Sequence, residues 1–536
     1  MAHTRMLTHR DRMPYGLPML TAILLGLSFY PWQQEWVVWI ACAPLLVWLM
    51  DPAVSWRRAI PMLVFVGTVY HLTLLAPFLS LGWWGWGTTT GGQLSEYFSY
   101  QRWFLIIILG FVSLWGGLVL ACIGLLIRPS LRKPLLSLWV VPSVWVFVLE
   151  YLGHGSVFGF SWGLIGNRLH GLTSIRQLAS LTGVYGLSFL VLMVNALGAS
   201  WLMTLRRKDI SRQLIEATTI MAAVMVAVVG YGQLALRAHP ESGPVLHAVL
   251  LQGASAPVSS GDFSPEGMDL RYESMVREAV GRHPDLVLLP ETIWLRPLQL
   301  DGSTNPWSSN PLPLAQMQEV LRGRFGGPTL LGMGLDVVSE GRTYNATTFW
   351  HAGQLAGLYR KRRLVPFAEY HPAVLGRWAP QNRIHGPQFT YTPGQGSQLF
   401  REGSVIIGAF ICQEVMFPGL VRQTVKDGAQ LLVSTGNDGV FASPIVAWEQ
   451  ANLATLRAVE NRRCLLRSMK TGISAAIDPY GRVLSQAPVN TQAVLSGEVY
   501  GLTALTWYTR WGDWIAWVSG LIVLLSLAGW LRVRYT

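Results

Sequence analysis

Three residues of the types that cooperate in acyl chemistry lie in the polar second half of the chain: Glu291, Lys361 and Cys412. A cysteine thiol has an ordinary pKa of about 8.5, so only a small fraction of it is nucleophilic thiolate at neutral pH. Glu291 could remove the thiol proton as a general base, and the Lys361 ammonium could stabilise the negative charge that develops on a carbonyl oxygen. The three residue types together predict attack on an ester or amide through a thioester.

Two of these residues end strand-like runs. Glu291 closes an apolar run that begins at Asp285, and Cys412 closes one that begins at Ser404. Similar runs alternate with helical patterns along the polar block. The predicted strands cover residues 245–251, 285–289, 329–335, 404–411 and 431–434, and the predicted helices cover 268–280 and 445–462. Strands buried on both faces and separated by helices predict an α/β layered domain.

The chain as a whole has the composition of a membrane protein. Of its 536 residues 51% are hydrophobic and 13% are charged, which excludes an ordinary soluble protein. A spanning helix needs about 20 apolar residues, or about 17 at the least. Eight stretches come near this length, at residues 14–30, 36–50, 59–79, 103–127, 135–152, 181–202, 217–236 and 514–531. We predict a polytopic helical membrane domain with about eight transmembrane helices in all, combined with the α/β domain.

These patterns divide the chain into three parts. Residues 1–236 are predicted to form about seven membrane spans, residues 237–512 the α/β domain, and residues 513–536 a last span with a short tail. Basic residues cluster near 5–12, 57–58, 128–133, 206–212 and 532–534, in alternate loops. By the positive-inside rule both termini are cytoplasmic and the α/β domain faces the opposite side, which in a Gram-negative cell is the periplasmic side of the inner membrane. The basic residues in these loops account for most of the net charge of +12, so that charge does not indicate nucleic-acid binding.

The cysteines and histidines do not indicate a metal or cofactor site. None of the four cysteines has the spacing of a zinc site, and the histidines form no HExxH motif. Cys412 and Cys464 both lie in the block predicted to face an oxidising compartment. A disulfide between them is therefore the alternative to a catalytic thiol at Cys412.

Several short motifs carry a resemblance to a known family. They are Phe158-Gly-Phe-Ser-Trp162, Gly183-Val-Tyr-Gly-Leu-Ser188, Gln252-Gly253, Pro290-Glu291, Leu364-Val-Pro-Phe367 with Glu369, Cys412 with Glu414, and Asn437-Asp438. With apolar helices on both sides of the polar block, the chain resembles the bacterial apolipoprotein N-acyltransferases, a family within the nitrilase or carbon-nitrogen hydrolase superfamily. The resemblance extends over nearly the whole chain.

The resemblance implies an αββα sandwich in which Cys412 is the nucleophile, Glu291 the general base and Lys361 the stabiliser of the transition state. It implies three supporting residues, which are Glu369, Glu414 and Asn437. It also implies a ping-pong reaction without a cofactor, in a protein that we expect to be a monomer in membrane lipid. An acyl chain would pass from the sn-1 ester of a phospholipid, with phosphatidylethanolamine as the expected donor, to Cys412. The acceptor would be the α-amine of the S-diacylglyceryl cysteine that begins a lipoprotein.

Other functions stay open at this point. A membrane-bound amidase or other carbon-nitrogen hydrolase would pass the acyl group to water, and a paralogous acyltransferase would use a different acceptor. A non-catalytic membrane protein would keep the fold without turnover. The chain departs from the family pattern at Gln413, Gly439-Val-Phe441, Trp448-Glu449 and Met469-Lys-Thr-Gly472, which leaves donor and acceptor open. Within the last of these, Lys470 would add a positive charge suited to a phosphate headgroup.

Three further hypotheses concern the surroundings of the site. Glu369 and Glu414 have a simpler alternative role, as surface partners of Arg360 or Arg363. The aromatic segments 81–87 and 158–162 are predicted either to line a lipid vestibule or to anchor the protein at the membrane interface. A mobile lid is predicted within residues 373–389 from their composition.

Overall fold

The computed structural model describes residues 15–29, 34–77, 93–153, 161–237, 243–254, 263–264, 266–291, 293–294, 296–303, 310–325, 329–366, 369–370, 391–438 and 443–535. The predicted lid at 373–389, the aromatic segment 81–87, most of 158–162 and residues 439–441 lie outside this part of the chain. The described residues belong to two compact units. Unit 1 falls within Met1–Leu79, Leu105–Ala238 and Trp511–Thr536, and unit 2 within Ser80–Phe104 and His239–Arg510.

The apolar parts of the chain form helices. They are α1 (Gly16–Leu27), α2 (Ala43–Leu49), α3 (Trp56–Leu75), α4 (Gln93–Ile127), α5 (Pro134–Val144), α6 (Ala179–Arg207), α7 (Arg212–Arg237) and, near the end of the chain, Trp514–Tyr535. After α5 the backbone continues as a π-helix over Trp145–Gly153. Gly183 interrupts α6 with a φ of 65°, a conformation that favours glycine.

Five helical segments of the described chain are long and apolar enough to cross a membrane: Trp56–Leu75, Ile106–Ile127, Pro134–Gly153, Ile175–Arg207 and Arg212–Arg237. Three shorter apolar helices, Gly16–Leu27, Glu35–Leu49 and Trp514–Trp530, coincide with the remaining predicted stretches. The chain is therefore a membrane protein. The count of eight spans stays a prediction.

Polar and small side chains fix the packing within unit 1. Asn195 on α6 caps α2, because its Oδ1 accepts hydrogen bonds from the N–H groups of Cys42 and Ala43 at 2.8 and 3.0 Å. N–H groups at the start of a helix lack acceptors within that helix, and here Asn195 supplies one in addition to the Ile40 carbonyl that Ala43 reaches at 3.1 Å. On α3, a Cβ added to Gly67 would lie 2.7 Å from the Cα of Gly117, so α3 and α4 approach through their backbones. Small residues at such crossings are typical of helices packed within membranes.

Unit 2 contains two β-sheets. In chain order its strands are β1 (Val245–Gln252), β2 (Leu286–Leu288), β3 (Leu298–Gln299), β4 (Leu312–Pro313), β5 (Leu330–Ser339), β6 (Arg342–His351), β7 (Gln354–Arg360), β8 (Leu399–Glu402), β9 (Val405–Ile411), β10 (Leu431–Gly436), β11 (Leu465–Met469), β12 (Ala475–Ile477), β13 (Val483–Gln486) and β14 (Ala493–Tyr500). The eight-stranded sheet has the order β14-β1-β2-β5-β3-β4, with β6 and β7 added beside β5. The six-stranded sheet has the order β13-β12-β11-β10-β9-β8.

Helices cover the outer face of each sheet. They are α8 (Leu270–Val280), α9 (Leu314–Phe325), α10 (Pro418–Lys426) and α11 (Pro444–Asn461). One apolar core lies between α8, α9 and the eight-stranded sheet, and another joins the two sheets. On β9, Ile407 and Ala409 belong to the core between the sheets, whereas a Cβ on Gly408 would lie 2.5 Å from Thr424 of α10. This layering confirms the predicted αββα sandwich.

The strand directions bring the proposed site residues to corresponding strand ends. In the six-stranded sheet β9, β10 and β11 are parallel, so Cys412, Asn437 and Lys470 each follow the carboxyl end of a strand. In the other sheet β2 is parallel to β5, and β7 runs in the same direction because it is antiparallel to β6, which is antiparallel to β5. Glu291 and Lys361 therefore also follow carboxyl ends, of β2 and β7.

Candidate active site

Cys412 lies in a constrained turn directly after β9, where it is the first residue of a short 3₁₀ helix, Cys412–Met416. Its φ of 51° lies in the left-handed region, which is uncommon for a residue with a Cβ. The neighbouring strand also comes close, since a Cβ on Gly436 would lie 3.1 Å from the Cα of Cys412. Strained backbone of this type costs of order 1–3 kcal/mol and persists only where the surroundings fix it. The fold therefore holds the thiol in one position, with the residue only 5% exposed.

Glu414 supplies much of that constraint. Its buried carboxylate accepts hydrogen bonds at Oε2 from the Ile411 N–H and the Tyr359 hydroxyl, both at 2.7 Å. At Oε1 it accepts from the N–H groups of Arg362 and Arg363 at 2.7 and 2.9 Å. One side chain thus ties the cysteine turn to the segment that follows Lys361.

Glu291 lies just after β2 and is 7% exposed. Its Oε1 accepts a hydrogen bond from Asn345 Nδ2 at 2.8 Å. Strand β5 passes directly beside it, because a Cβ on Gly334 would lie only 2.8 Å from the Glu291 Cα. A glycine is needed there for the two backbones to approach.

Lys361 is 2% exposed and pairs with Glu369, with 2.8 Å between Nζ and Oε1. Asn345 Nδ2 donates to that same Oε1 at 3.0 Å, and the Val365 N–H donates to Oε2 at 2.7 Å. Asn345 therefore bridges the two carboxylates, Glu291 and Glu369. The backbone N–H of Lys361 also donates to the Asn345 carbonyl at 2.8 Å, which sets the cation beside this bridge.

The hypothesis that Glu369 and Glu414 pair at the surface with Arg360 or Arg363 is wrong. Glu369 is held by Lys361 and Asn345, and Glu414 binds backbone N–H groups and a tyrosine hydroxyl rather than guanidinium groups. Both carboxylates were predicted as supporting residues. Asn345 was not, although it is a polar residue in the strand that pairs with the long β5.

Burial dominates the electrostatics of the site. It raises the pKa of Glu291 to about 7, against the opposing effects of the Lys361 charge and the Asn345 hydrogen bond. Burial likewise raises the pKa of the Cys412 thiol to about 12, although Lys361 opposes this. Burial by itself would lower the pKa of Lys361, but the charges of Glu369, Cys412 and Glu291 outweigh it and raise that pKa. The resting arrangement is therefore a neutral thiol, a fixed cation and a carboxyl group that changes charge near neutral pH.

Comparisons with known proteins match both parts of the chain. Residues 21–197 match the family described as apolipoprotein N-acyltransferase N-terminal domain, and residues 254–505 match carbon-nitrogen hydrolase. An apolipoprotein N-acyltransferase from Gloeobacter violaceus is 30% identical over 525 residues, which covers 94% of this chain and 91% of the relative. The chain belongs to the apolipoprotein N-acyltransferase family. This confirms the resemblance that its motifs carry.

A second N-acyltransferase is similar over the same extent of the chain, and a solved amidase structure matches about half of it. The apolipoprotein N-acyltransferase of Geobacter metallireducens is 27% identical over 531 residues, covering 96% of this chain and 95% of the relative. Among solved structures, an amidase of the nitrilase superfamily from Nesterenkonia has 18% identity and a TM-score of 0.35, covering 52% of this chain and 94% of its own. The similarity to the named N-acyltransferases thus spans both units.

Asn437, the third predicted supporting residue, follows β10 next to the cysteine turn. Its Oδ1 accepts a hydrogen bond from the Thr471 hydroxyl at 3.2 Å. The adjacent Asp438 forms a buried ion pair with Arg467 at 2.9 Å. The partners in these two contacts, Arg467 and Thr471, lie on β11 and just after it.

Three of the departures from the family pattern lie within the described residues: Gln413, Trp448-Glu449 on α11, and Met469-Lys-Thr-Gly472 at the end of β11. Gln413 lies in the cysteine turn and donates from Nε2 to the Arg363 carbonyl at 3.3 Å. The N–H of Lys470 donates to the Gly436 carbonyl at 3.0 Å, so its backbone lies beside the end of β10. Burial lowers the pKa of Lys470, whose charged neighbours are Asp269 and Arg271 at the start of α8. The Lys470 backbone therefore lies beside β10, where burial disfavours the charged form of its side chain, and its suitability for a phosphate headgroup stays a prediction.

All four cysteines are free, so the alternative of a Cys412 to Cys464 disulfide is wrong. Within the described part of the chain, no group of three or more His, Cys, Asp or Glu side chains is placed to hold a metal ion.

Proposed function

We propose that this protein transfers an acyl chain from a phospholipid, through a thioester on Cys412, to the α-amine of the S-diacylglyceryl cysteine that begins a lipoprotein. The observation that carries the proposal is the buried arrangement of Glu291, Lys361 and Cys412 at strand ends, in a chain that matches N-acyltransferases over almost its whole length. Glu369, Glu414 and Asn437 are proposed to support these three residues. No cofactor takes part.

In the first half-reaction the Cys412 thiol loses its proton to the Glu291 carboxylate as Sγ attacks the ester carbonyl carbon. The carbonyl oxygen becomes an oxyanion, which the Lys361 ammonium stabilises more strongly than it stabilises the neutral ester. The C–O ester bond then breaks, and the proton on Glu291 passes to the departing oxygen. A lysophospholipid leaves and the acyl chain stays on Sγ.

In the second half-reaction the neutral α-amine of the lipoprotein attacks the thioester carbonyl. A C–N bond forms, Glu291 accepts a proton from the amine nitrogen, and the C–S bond breaks. The same proton returns from Glu291 to Sγ, which restores the thiol and releases the amide. Because one site serves both steps, ping-pong kinetics are expected.

The high thiol pKa favours this route over a preformed thiolate. With a Cys412 pKa of about 12 and a Glu291 pKa of about 7, proton transfer must accompany bond formation. Lys361 serves this step because Glu369 fixes its ammonium group and the Asn345 carbonyl fixes its backbone. Positioned charge in a buried site contributes more than the same charge in water.

The membrane parts suit these substrates. A soluble enzyme would have to extract each acyl chain from lipid at about 0.8 kcal/mol per CH₂ group, and an enzyme held in the same membrane avoids this cost. We propose about eight spans, both termini in the cytoplasm, the catalytic domain on the periplasmic side of the bacterial inner membrane, phosphatidylethanolamine as donor and a monomeric protein. The domain limits proposed from the sequence are 1–236, 237–512 and 513–536.

The test uses the full chain in detergent with phosphatidylethanolamine labelled in its sn-1 acyl chain. Wild type should acquire a label that hydroxylamine releases, and a synthetic diacylglyceryl-cysteine peptide should then take the label on its amine. Cys412→Ala should acquire none. Cys464→Ala, a change at another buried free cysteine of unit 2, is the matched control and should behave as wild type.

The other outcomes separate the alternatives. A label that forms on Cys412 and passes only to water would replace the transferase with a membrane-bound carbon-nitrogen hydrolase. A label that passes to a different amine would indicate a paralogous acyltransferase. Absence of any label, in a preparation where a known family member is active, would exclude a phospholipid donor.

A further inference from the structure

Asp336, on β5, is a third carboxylate behind the proposed catalytic residues. In the β5–β6 pairing it stands directly opposite Asn345, which bridges Glu291 and Glu369. Residues paired across two strands point to the same side of the sheet. Asp336 therefore shares a face with the amide that holds both carboxylates.

The neighbouring glycine gives independent evidence for this orientation. Side chains two residues apart on a strand point to the same face. Gly334, two residues before Asp336, would direct a Cβ to within 2.8 Å of the Glu291 Cα. The alternate residues Leu335 and Val337 belong to the core on the opposite face, with α8 and α9. Asp336 thus faces the layer that contains Glu291.

Tyr391 holds Asp336 and links it to Glu369. The Tyr391 hydroxyl donates to Asp336 Oδ1 at 2.9 Å, and the Tyr391 N–H donates to the Glu369 carbonyl at 2.9 Å. The next residue, Thr392, donates its N–H to the Thr343 carbonyl at 2.8 Å. The tyrosine is therefore fixed from both its backbone and its hydroxyl.

The charges of the cluster do not balance if every group is ionised. Among the described residues, the titratable groups that act on Asp336 are Glu369 and Tyr391, and those that face Glu291 are Lys361, Glu369, Asp336, Tyr391 and Cys412. Three carboxylates then face one ammonium. Burial raises the pKa of Asp336 to about 6, opposed by the Tyr391 hydrogen bond, and Asp336 in turn contributes to the raised pKa of Glu291. The negative charge of Asp336 thus favours a protonated Glu291.

We propose that Asp336, held by Tyr391, is a positioning residue whose negative charge makes Glu291 a stronger acceptor for the Cys412 proton. The inference rests on the proposed role of Glu291 as the base. It assigns no contact with substrate to Asp336, which acts through Glu291. The hydroxyl of Tyr391 contributes by keeping Asp336 ionised at a lower pH than burial alone would allow.

The test measures alkylation of Cys412 by iodoacetamide as a function of pH, in the full chain in detergent, with the modified peptide quantified by mass spectrometry. Wild type should alkylate faster as Glu291 ionises near pH 7. In Asp336→Asn the midpoint should move lower by less than about one pH unit, because a like charge no longer faces Glu291 and that charge acts on Glu291 less strongly than burial or Glu369. Tyr391→Phe should move it in the same direction by less, since Asp336 then keeps its proton to higher pH.

Asp427→Asn, at an exposed aspartate after α10, is the matched control and should leave the midpoint unchanged. A merely structural role for Asp336 would lower the rate at every pH without moving the midpoint, and that result would overturn the inference. Tyr391→Phe keeps the ring and decides the question if Asp336→Asn does not fold. Alkylation needs neither lipid nor peptide, so it tests Asp336 independently of acyl transfer. If the midpoint shifts but the protein transfers no acyl chain, the proposed function is rejected and the role of Asp336 is retained.

Discussion

The carboxylate of Glu414 allows the sharpest test of how this fold positions its nucleophile. Each of its two oxygens accepts two hydrogen bonds, Oε1 from Arg362 and Arg363 and Oε2 from Ile411 and Tyr359. Glu414→Gln keeps the size of the side chain but replaces one acceptor oxygen with an NH₂ group. Whichever way the amide turns, that NH₂ group faces two donors.

The less costly orientation can be identified from the donors. Backbone N–H groups cannot become acceptors, so an NH₂ group facing Arg362 and Arg363 leaves two donors without a partner. Facing Ile411 and Tyr359, it leaves only one, because the Tyr359 hydroxyl can accept instead. A buried donor without a partner costs about 1–3 kcal/mol. With an unfolding entropy of about 2.1 cal/mol/K per residue, a domain of this size should then lose about 2–5 °C in unfolding temperature.

The orphaned donor of Glu414→Gln is the N–H of Ile411, the residue immediately before Cys412. We expect the turn to loosen and thioester formation to slow by about 10-fold to 100-fold, because small displacements of a reacting atom are costly. Thermal unfolding in detergent and single-turnover acylation measure the two effects. Glu498→Gln, at an exposed glutamate, is the control. If Glu414→Gln unfolds at the wild-type temperature and acylates at the wild-type rate, this account of the turn is refuted.

Three further results are expected. Acylation of Cys412 should fall as the pH drops through about 7, because Glu291 must be ionised to accept the proton, and Glu291→Gln should remove most activity at every pH; single-turnover rates against pH measure both. Lys361→Met should slow acylation by about 100-fold to 1000-fold, because the oxyanion loses its stabilising charge. Thermal unfolding should also show a loss of about 3–5 kcal/mol in stability, because Glu369 loses its buried partner. Gly334→Ala should displace Glu291 and reduce kcat by about 100-fold, whereas Gly302→Ala, which has open space around it, should not; steady-state kinetics of the two variants contrast them.

Local patterns were sufficient to predict several of the elements that carry the site, but not β6, which carries Asn345, or β7, which precedes Lys361. The apolar runs ending at Glu291 and Cys412 become β2 and β9, and the run at residues 329–335 becomes the first part of β5. These predictions succeed because a strand buried on both faces must be apolar along its length, whatever its partners are. The same reasoning placed the helices of the apolar regions, whose composition is set by lipid rather than by neighbours.

The contacts of the supporting residues could not be predicted in this way. Nothing in the sequence near Glu414 shows that its partners are the N–H groups of Arg362 and Arg363, about fifty residues earlier, and the arginines themselves pointed to surface pairing. Asn345 and Asp336 look like ordinary polar residues of an antiparallel pair until the register sets them opposite each other.

The sequence by itself therefore determined the residue types, the strand ends and the family, because these follow from short-range hydrophobic pattern and local motifs. Only the tertiary structure decided which carboxylate holds the cation, which caps the cysteine turn and which faces the base. Those choices depend on sheet register and on approaches such as that of Gly334 to Glu291. Burial then converts them into shifted pKa values, because a charge removed from water is governed by its nearest partners.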